Sequence, residues 1–156
     1  MRRLPCLWLL IAILAACSST PRGPLPQAAP ATVAAPAVDL RERVVRNFNA
    51  AFNAQDAAAM AALVTPDVQW VSVKGLTVNL DTSNREELRR SMASYFKACP
   101  SCRSRLASVT VAKSRVAVLE VATWTTPAGP REAQGFVFYE FSGQLISRVY
   151  YFAVEG

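Results

Sequence analysis

A chain of 156 residues has room for one domain with a real core once a leader and a linker are set aside. Seventeen basic and eleven acidic residues leave a net charge of +6, but Arg2 and Arg3 stand at the extreme N-terminus and the other basic residues are scattered. The clustered basic face of a nucleic-acid binder is therefore missing, and the complete lack of histidine excludes the usual general base, the usual zinc ligand and any Ser-His or Cys-His nucleophile pair.

Residues 1–17 begin with Met1-Arg2-Arg3, continue in an apolar run from Leu7 to Ala16 and end in small residues before Cys17. The run is too short to span a bilayer and has the plan of a secretory signal. Leu14-Ala15-Ala16-Cys17 resembles the bacterial lipobox, which implies lipidation of Cys17 and anchoring to the cell envelope. Ser18 behind it, by similarity to Gram-negative lipoproteins, implies the outer membrane, facing the periplasm. Residues 18–38 are rich in Pro, Ala, Ser and Thr, with five prolines and no apolar periodicity. They are expected to form a disordered, semi-extended tether reaching on the order of 60 Å at about 3 Å per residue.

The folded domain is expected over residues 39–156. Asp39 opens a first helix as N-cap, with Glu42 completing a capping box. Leu40, Val44, Val45, Phe48 and Phe52 recur at helical spacing and form its buried stripe. Asp56 caps a short alanine-rich second helix carrying Met60, Leu63 and Val64, and Thr65-Pro66-Asp67 stops it. Val68 to Val73 alternates as a strand, and Lys74 to Thr82 is a looser piece. Ser83 with Glu86 makes a second capping box for a third helix, whose stripe is Leu88, Met92, Tyr95 and Phe96. Strands follow at about 105–112 and 115–124, turned at Lys113-Ser114. The stretch from Glu132 to Phe152 then reads as a long hairpin, two aromatic and β-branched runs joined at Ser142-Gly143-Gln144. Helices followed by long antiparallel strands make an α+β domain.

The segment from Val44 to Ser72 and the closing G-Q-L-I-S-R-V-Y-Y-F resemble the nuclear transport factor 2-like superfamily, the group that includes SnoaL-like cyclases and ketosteroid isomerases. The resemblance covers Asp39 to Gly156. It implies a cone-shaped α+β barrel in which three N-terminal helices pack in a curved antiparallel sheet, with a pocket between them and often a homodimer through the outer sheet face. An ungapped comparison puts Phe48, Ser72 and Val137 where ketosteroid isomerases carry a tyrosine and two aspartic acids. None of the three can do that chemistry.

The same comparison turns a set of side chains towards the pocket: Phe48, Phe52, Trp70, Ser72, Met92, Tyr95, Leu119, Val121, Thr123, Val137, Tyr139, Arg148, Tyr150 and Phe152. Such a lining suits a small apolar or aromatic molecule; alternatively, these side chains simply fill the barrel. Arg148 could hold a ligand carboxylate, form an internal ion pair or reach solvent at the rim. Glu120 is turned away from the pocket in this register; displaced by one residue it would face inward and become the best general-base candidate. Asp67 and Asp81 read as turn or cap residues.

Cys99 and Cys102 have the spacing of a redox pair, but they follow the end of a helix, where the dipole disfavours a thiolate. In an oxidising periplasm a structural disulfide is expected. No metal site and no cofactor is expected. These features lead to a membrane-anchored binding module for a small apolar ligand or a protein partner. The alternatives are a SnoaL-like enzyme acting through Glu120 or Arg148 and an envelope assembly protein using its outer sheet face. An inward Glu120 would favour the enzyme, an apolar cone the binder.

Overall fold

A computed structural model describes residues 39–153. The lipobox with Cys17, and the tether, lie outside the described residues. Helix α1 (Leu40–Asn53) starts where the Asp39 carboxylate accepts from the Arg41 N–H at 2.8 Å. Glu42 does not reach back to close the expected box; it binds Arg46 one turn on, at 2.6 Å. Val44, Val45, Phe48 and Ala51 bury one face of the helix, the spacing of an amphipathic stripe. Gln55 adopts a left-handed conformation with φ of 57° and turns the chain. Asp56 then caps α2 (Ala57–Ala62), accepting from the Ala59 N–H at 2.8 Å.

Strand β1 (Val64–Lys74) begins earlier than expected and contains Thr65-Pro66-Asp67. Its pairing to β6 (Leu145–Ala153) is irregular between Val64 and Gln69, so Pro66 sits where no regular ladder bond is required of it. The piece expected to be loose holds strand β2 (Thr77–Thr82), a hairpin partner of β1 turned at Gly75. Helix α3 (Arg85–Ala98) is capped one residue later than the Ser83–Glu86 pattern indicated. Asn84 accepts from the Glu87 N–H at 2.9 Å, and Glu87 accepts from the Ser83 N–H and hydroxyl, both at 2.8 Å. Three long strands complete the chain before β6: β3 (Arg103–Ala112), β4 (Arg115–Thr126) and β5 (Gly129–Ser142). The β5–β6 hairpin is the one expected between Glu132 and Phe152, turned at Gly143 with φ of 61°.

The six strands form one sheet in the order β2-β1-β6-β5-β4-β3. Two features differ from a fully antiparallel barrel. The β1–β6 pair is parallel; such a pair needs a long crossover, which α3 and the intervening strands supply. The sheet is also open, because β2 and β3 remain its two edges. Extra residues at Asp81 in β2, Ala107 in β3 and Ser147 in β6 shift the register and bend the sheet around the helices. Val45, Met60, Val64, Leu88, Val118 and Ile146 are among the side chains closing the core between sheet and helices. Cys99 and Cys102 are joined as a disulfide between α3 and β3.

Candidate functional site

The concave face of the sheet, α1 and α3 leave a cavity of about 260 Å³. Phe48, Phe52, Trp70, Ser72, Met92, Tyr95 and Tyr139 stand on its wall as the sequence comparison indicated. Phe48 packs between Trp70 and Tyr139, with ring centroids 6.4 and 6.1 Å away, and Phe52 lies 5.9 Å from Tyr95.

Strand β4 departs from the expected register. Val118 pairs with Val137 and Leu119 with Phe136. Val137 is fully buried whereas Phe136 is exposed, so the even-numbered residues of β4 face inward. Leu119, Val121 and Thr123 therefore lie on the other face, and Glu120 and Ala122 take their place on the cavity wall. The same correction applies to β6. Tyr151, opposite the inward Val137, lines the cavity, while Arg148, Tyr150 and Phe152 point outward. Phe152 packs edge-on against Phe138 at 5.6 Å on the outer face. Val137 faces inward but belongs to the core and not to the cavity wall.

Arg148 is thereby removed from the pocket. Its Nε donates to the Gln69 amide oxygen at 2.9 Å, its Nη1 to the Tyr150 hydroxyl at 3.2 Å, and Glu140 stands 3.7 Å away. Arg148 is therefore engaged on the partly exposed outer face of the sheet, with 41% of its side chain exposed, and not by a carboxylate inside the barrel.

Glu120 is held by a chain of hydrogen bonds reaching back to α1. The Ser104 hydroxyl donates to Glu120 Oε1 and accepts from Asn49 Nδ2 at 2.7 Å. Asn53 fixes Ser104 by its backbone: its amide accepts from the Ser104 N–H at 2.7 Å and donates to the Ser104 carbonyl at 2.8 Å. Burial raises the Glu120 pKa, and the Ser104 hydrogen bond offsets part of that shift. Burial likewise raises the phenols of Tyr95, Tyr139 and Tyr151, with the charge of Glu120 adding to each. These phenols stay protonated; Tyr95 donates to Cys102 Sγ at 3.2 Å, and Tyr139 and Tyr151 can donate to a ligand.

Asn49, Met60, Asp81, Ala122 and Tyr151 also line the cavity and were not expected there. Asp81 lies in β2 and accepts from the Ser72 hydroxyl at 3.1 Å. Asn49 had a sequence signal: with Asn53 it forms a polar i,i+4 pair next to the apolar stripe of α1. Among the described residues no group of three or more acidic, Cys or His side chains could hold a metal ion, and no helix is long and apolar enough to cross a membrane.

Residues 45–149 match the family model of the SnoaL-like domain. The chain belongs to this family. Solved structures share the fold at low identity. A cystatin-fold protein from Novosphingobium aromaticivorans is 21% identical, with a TM-score of 0.63, covering 71% of this chain and 96% of the other. A putative ketosteroid isomerase from Kribbella flavida is 19% identical, with a TM-score of 0.62 and coverages of 75% and 79%. A protein of ketosteroid isomerase-like fold from Catenulispora acidiphila, in complex with trimethylamine, is 14% identical, with a TM-score of 0.58 and coverages of 69% and 82%. A search of curated proteins finds no significant sequence match.

Proposed function

We propose that this SnoaL-like domain is a binding module for a small, largely apolar molecule and that Cys17 tethers it to the outer membrane, facing the periplasm. The observation that carries the binding reading is the cavity wall, on which six aromatic side chains surround a few polar groups. A small ligand in a protein of the same fold, trimethylamine in the Catenulispora protein, accords with it. Native mass spectrometry of protein purified without added ligand tests the reading: a retained small-molecule mass is expected, and a clean apo mass together with failure to bind any small apolar probe would remove it. The lipobox resemblance carries the anchor, and Cys17→Ala should release the protein from membranes; tight membrane association in that variant would refute lipidation.

A second reading has its own observation. Glu120 faces the cavity with a raised pKa on the same wall as three tyrosines, as an acid–base group would, and an inward Glu120 is the feature expected to favour the enzyme. The steroid-isomerase groups are absent at Phe48, Ser72 and Val137, and of the two carboxylates on the cavity wall, Glu120 and Asp81, Glu120 is the less exposed and the one to test. Once the retained molecule is known, turnover that Glu120→Gln abolishes would establish the enzyme, and binding with no conversion by the parent protein would leave the module non-catalytic. The outer sheet face, with exposed Phe136 and Phe138, is where a homodimer would form; a monomer mass in sedimentation velocity would exclude it.

A further inference from the structure

The charge of the cavity wall is one-sided. Two carboxylates enter it, Glu120 from β4 and Asp81 from β2, strands four places apart in the sheet. No Lys or Arg lines it among the described residues. Arg148, the one cation on β6 that could have balanced them, faces the other way and is engaged by Gln69, Tyr150 and Glu140. The rest of the wall is rich in ring surface: Phe48, Phe52, Trp70, Tyr95, Tyr139 and Tyr151. Aromatic faces carry partial negative charge and attract organic cations, most strongly where water is excluded. Carboxylates within an aromatic wall and with no basic neighbour favour the same ligand class.

We infer that the cavity is a site for a small organic cation, a tertiary or quaternary ammonium on a compact apolar body. The inference rests on the binding reading above and specifies the charge of its ligand. The competing classes fit less well. An anion would meet two carboxylates with no basic side chain on the wall to balance them. A neutral hydrocarbon would fill the space but leave the Glu120 carboxyl with Ser104 as its hydrogen-bond partner and would make no use of Asp81, whose partner among the described residues is Ser72 alone. An ammonium group supplies the counter-charge that the wall lacks. It needs no directed hydrogen bond, which suits a wall built mostly of rings. Burial, which disfavours the ionised Glu120, is offset when a cation enters beside it.

Three soluble probes of nearly equal shape separate the alternatives: choline, its neutral carbon isostere 3,3-dimethylbutan-1-ol, and the anion 3,3-dimethylbutanoate. Each is titrated calorimetrically into the full-length protein and into Glu120→Gln. Choline is expected to bind at least tenfold more tightly than the alcohol, with the carboxylate weakest, and the preference for choline should shrink several-fold in Glu120→Gln. Asp81→Asn, at the exposed mouth, should reduce the preference less. Equal or tighter binding of the alcohol overturns the inference while leaving a small-molecule pocket standing. Preference for the carboxylate overturns it also. An undiminished preference for choline in both variants would place the cation elsewhere and refute the site. If none of the three binds at millimolar concentration, the inference fails, and the retained-mass measurement then decides whether the pocket reading fails with it.

Discussion

Asn53 supports both the fold and the candidate site, and its replacement is the sharpest stability test. Strand β3 is a sheet edge, so alternate backbone groups along it lack a neighbouring strand. At Ser104 the Asn53 amide takes the place of that strand, accepting from the N–H at 2.7 Å and donating to the carbonyl at 2.8 Å. Ser104 is only 7% exposed, so water cannot replace both bonds freely. In Asn53→Ala two backbone groups lose their partners, at about 1–3 kcal/mol each where water stays out. Because α1 and β3 border a surface groove at this point, the lower part of the range applies, about 2–4 kcal/mol in total. For a domain of this size that lowers Tm by about 10 °C. Asn49→Ala, which removes the bond to the Ser104 hydroxyl and a longer one accepted from Asn53 Nδ2 at 3.3 Å, should cost about 1 kcal/mol. Urea unfolding at unchanged m-value is the assay. A loss below about 0.5 kcal/mol in Asn53→Ala would mean that the amide does not act as the missing strand. The holder of Glu120 would then have to be sought elsewhere.

Glu120→Gln has a pH signature whose sign follows from burial. The raised pKa keeps a proton on the folded protein that the unfolded chain has already released. Stability from this group is therefore intact below the ordinary carboxylate pKa, lost as pH rises through the folded value, and constant above it. Glu120→Gln should equal the parent near about pH 4 and exceed it at about pH 8 in denaturation midpoint; a variant less stable than the parent at the higher pH would contradict the assignment. Gly135, opposite Glu120 in the β4–β5 ladder, leaves room for the Tyr151 ring: a Cβ there would stand 2.9 Å from its Cζ and hydroxyl. Gly135→Ala should cost about 1–2 kcal/mol and push the ring towards the cavity, weakening ligand retention; unchanged retention and stability together would show that the ring has slack. Replacing Cys99 and Cys102 by Ser removes a short loop closure, about 2 kcal/mol by chain entropy. The parent under reductant should fall to the same midpoint, and an insensitive parent would show that the disulfide does not contribute.

The parts of this structure legible in the sequence are those whose patterns are one-sided. The α1 stripe of Val44, Val45, Phe48 and Phe52 has polar residues around most of it, so the period names the buried face, and Phe48 and Phe52 face the sheet and the cavity. The hairpin from Glu132 to Phe152 is bounded by turn residues, and Gly143 fits the positive φ its turn requires. Cap positions were less exact, because Ser83 and Asn84 can both cap and Glu86 and Glu87 can both answer. The parallel pairing of β1 with β6 joins residues about eighty apart and leaves no local trace.

The failures on β4 and β6 bear directly on function, and on β6 the extra residue Ser147 adds to the cause, because Ile146 is buried while Arg148, of the same parity, faces out. V-A-V-L-E-V-A and V-Y-Y-F present apolar side chains to both faces, so alternation carries no information about which face is inside. The inward face is set by pairing: Val118 and Tyr151 both lie opposite Val137. A displacement of one residue on each strand exchanges Leu119, Val121 and Arg148 for Glu120, Ala122 and Tyr151 on the cavity wall. A cavity carrying Arg148 and no Glu120 would favour anions, whereas the observed cavity carries carboxylates without a cation. The ligand's charge is thus decided by strand register, which is why the three-probe comparison tests the register of β4 and β6 as well as the chemistry of the site.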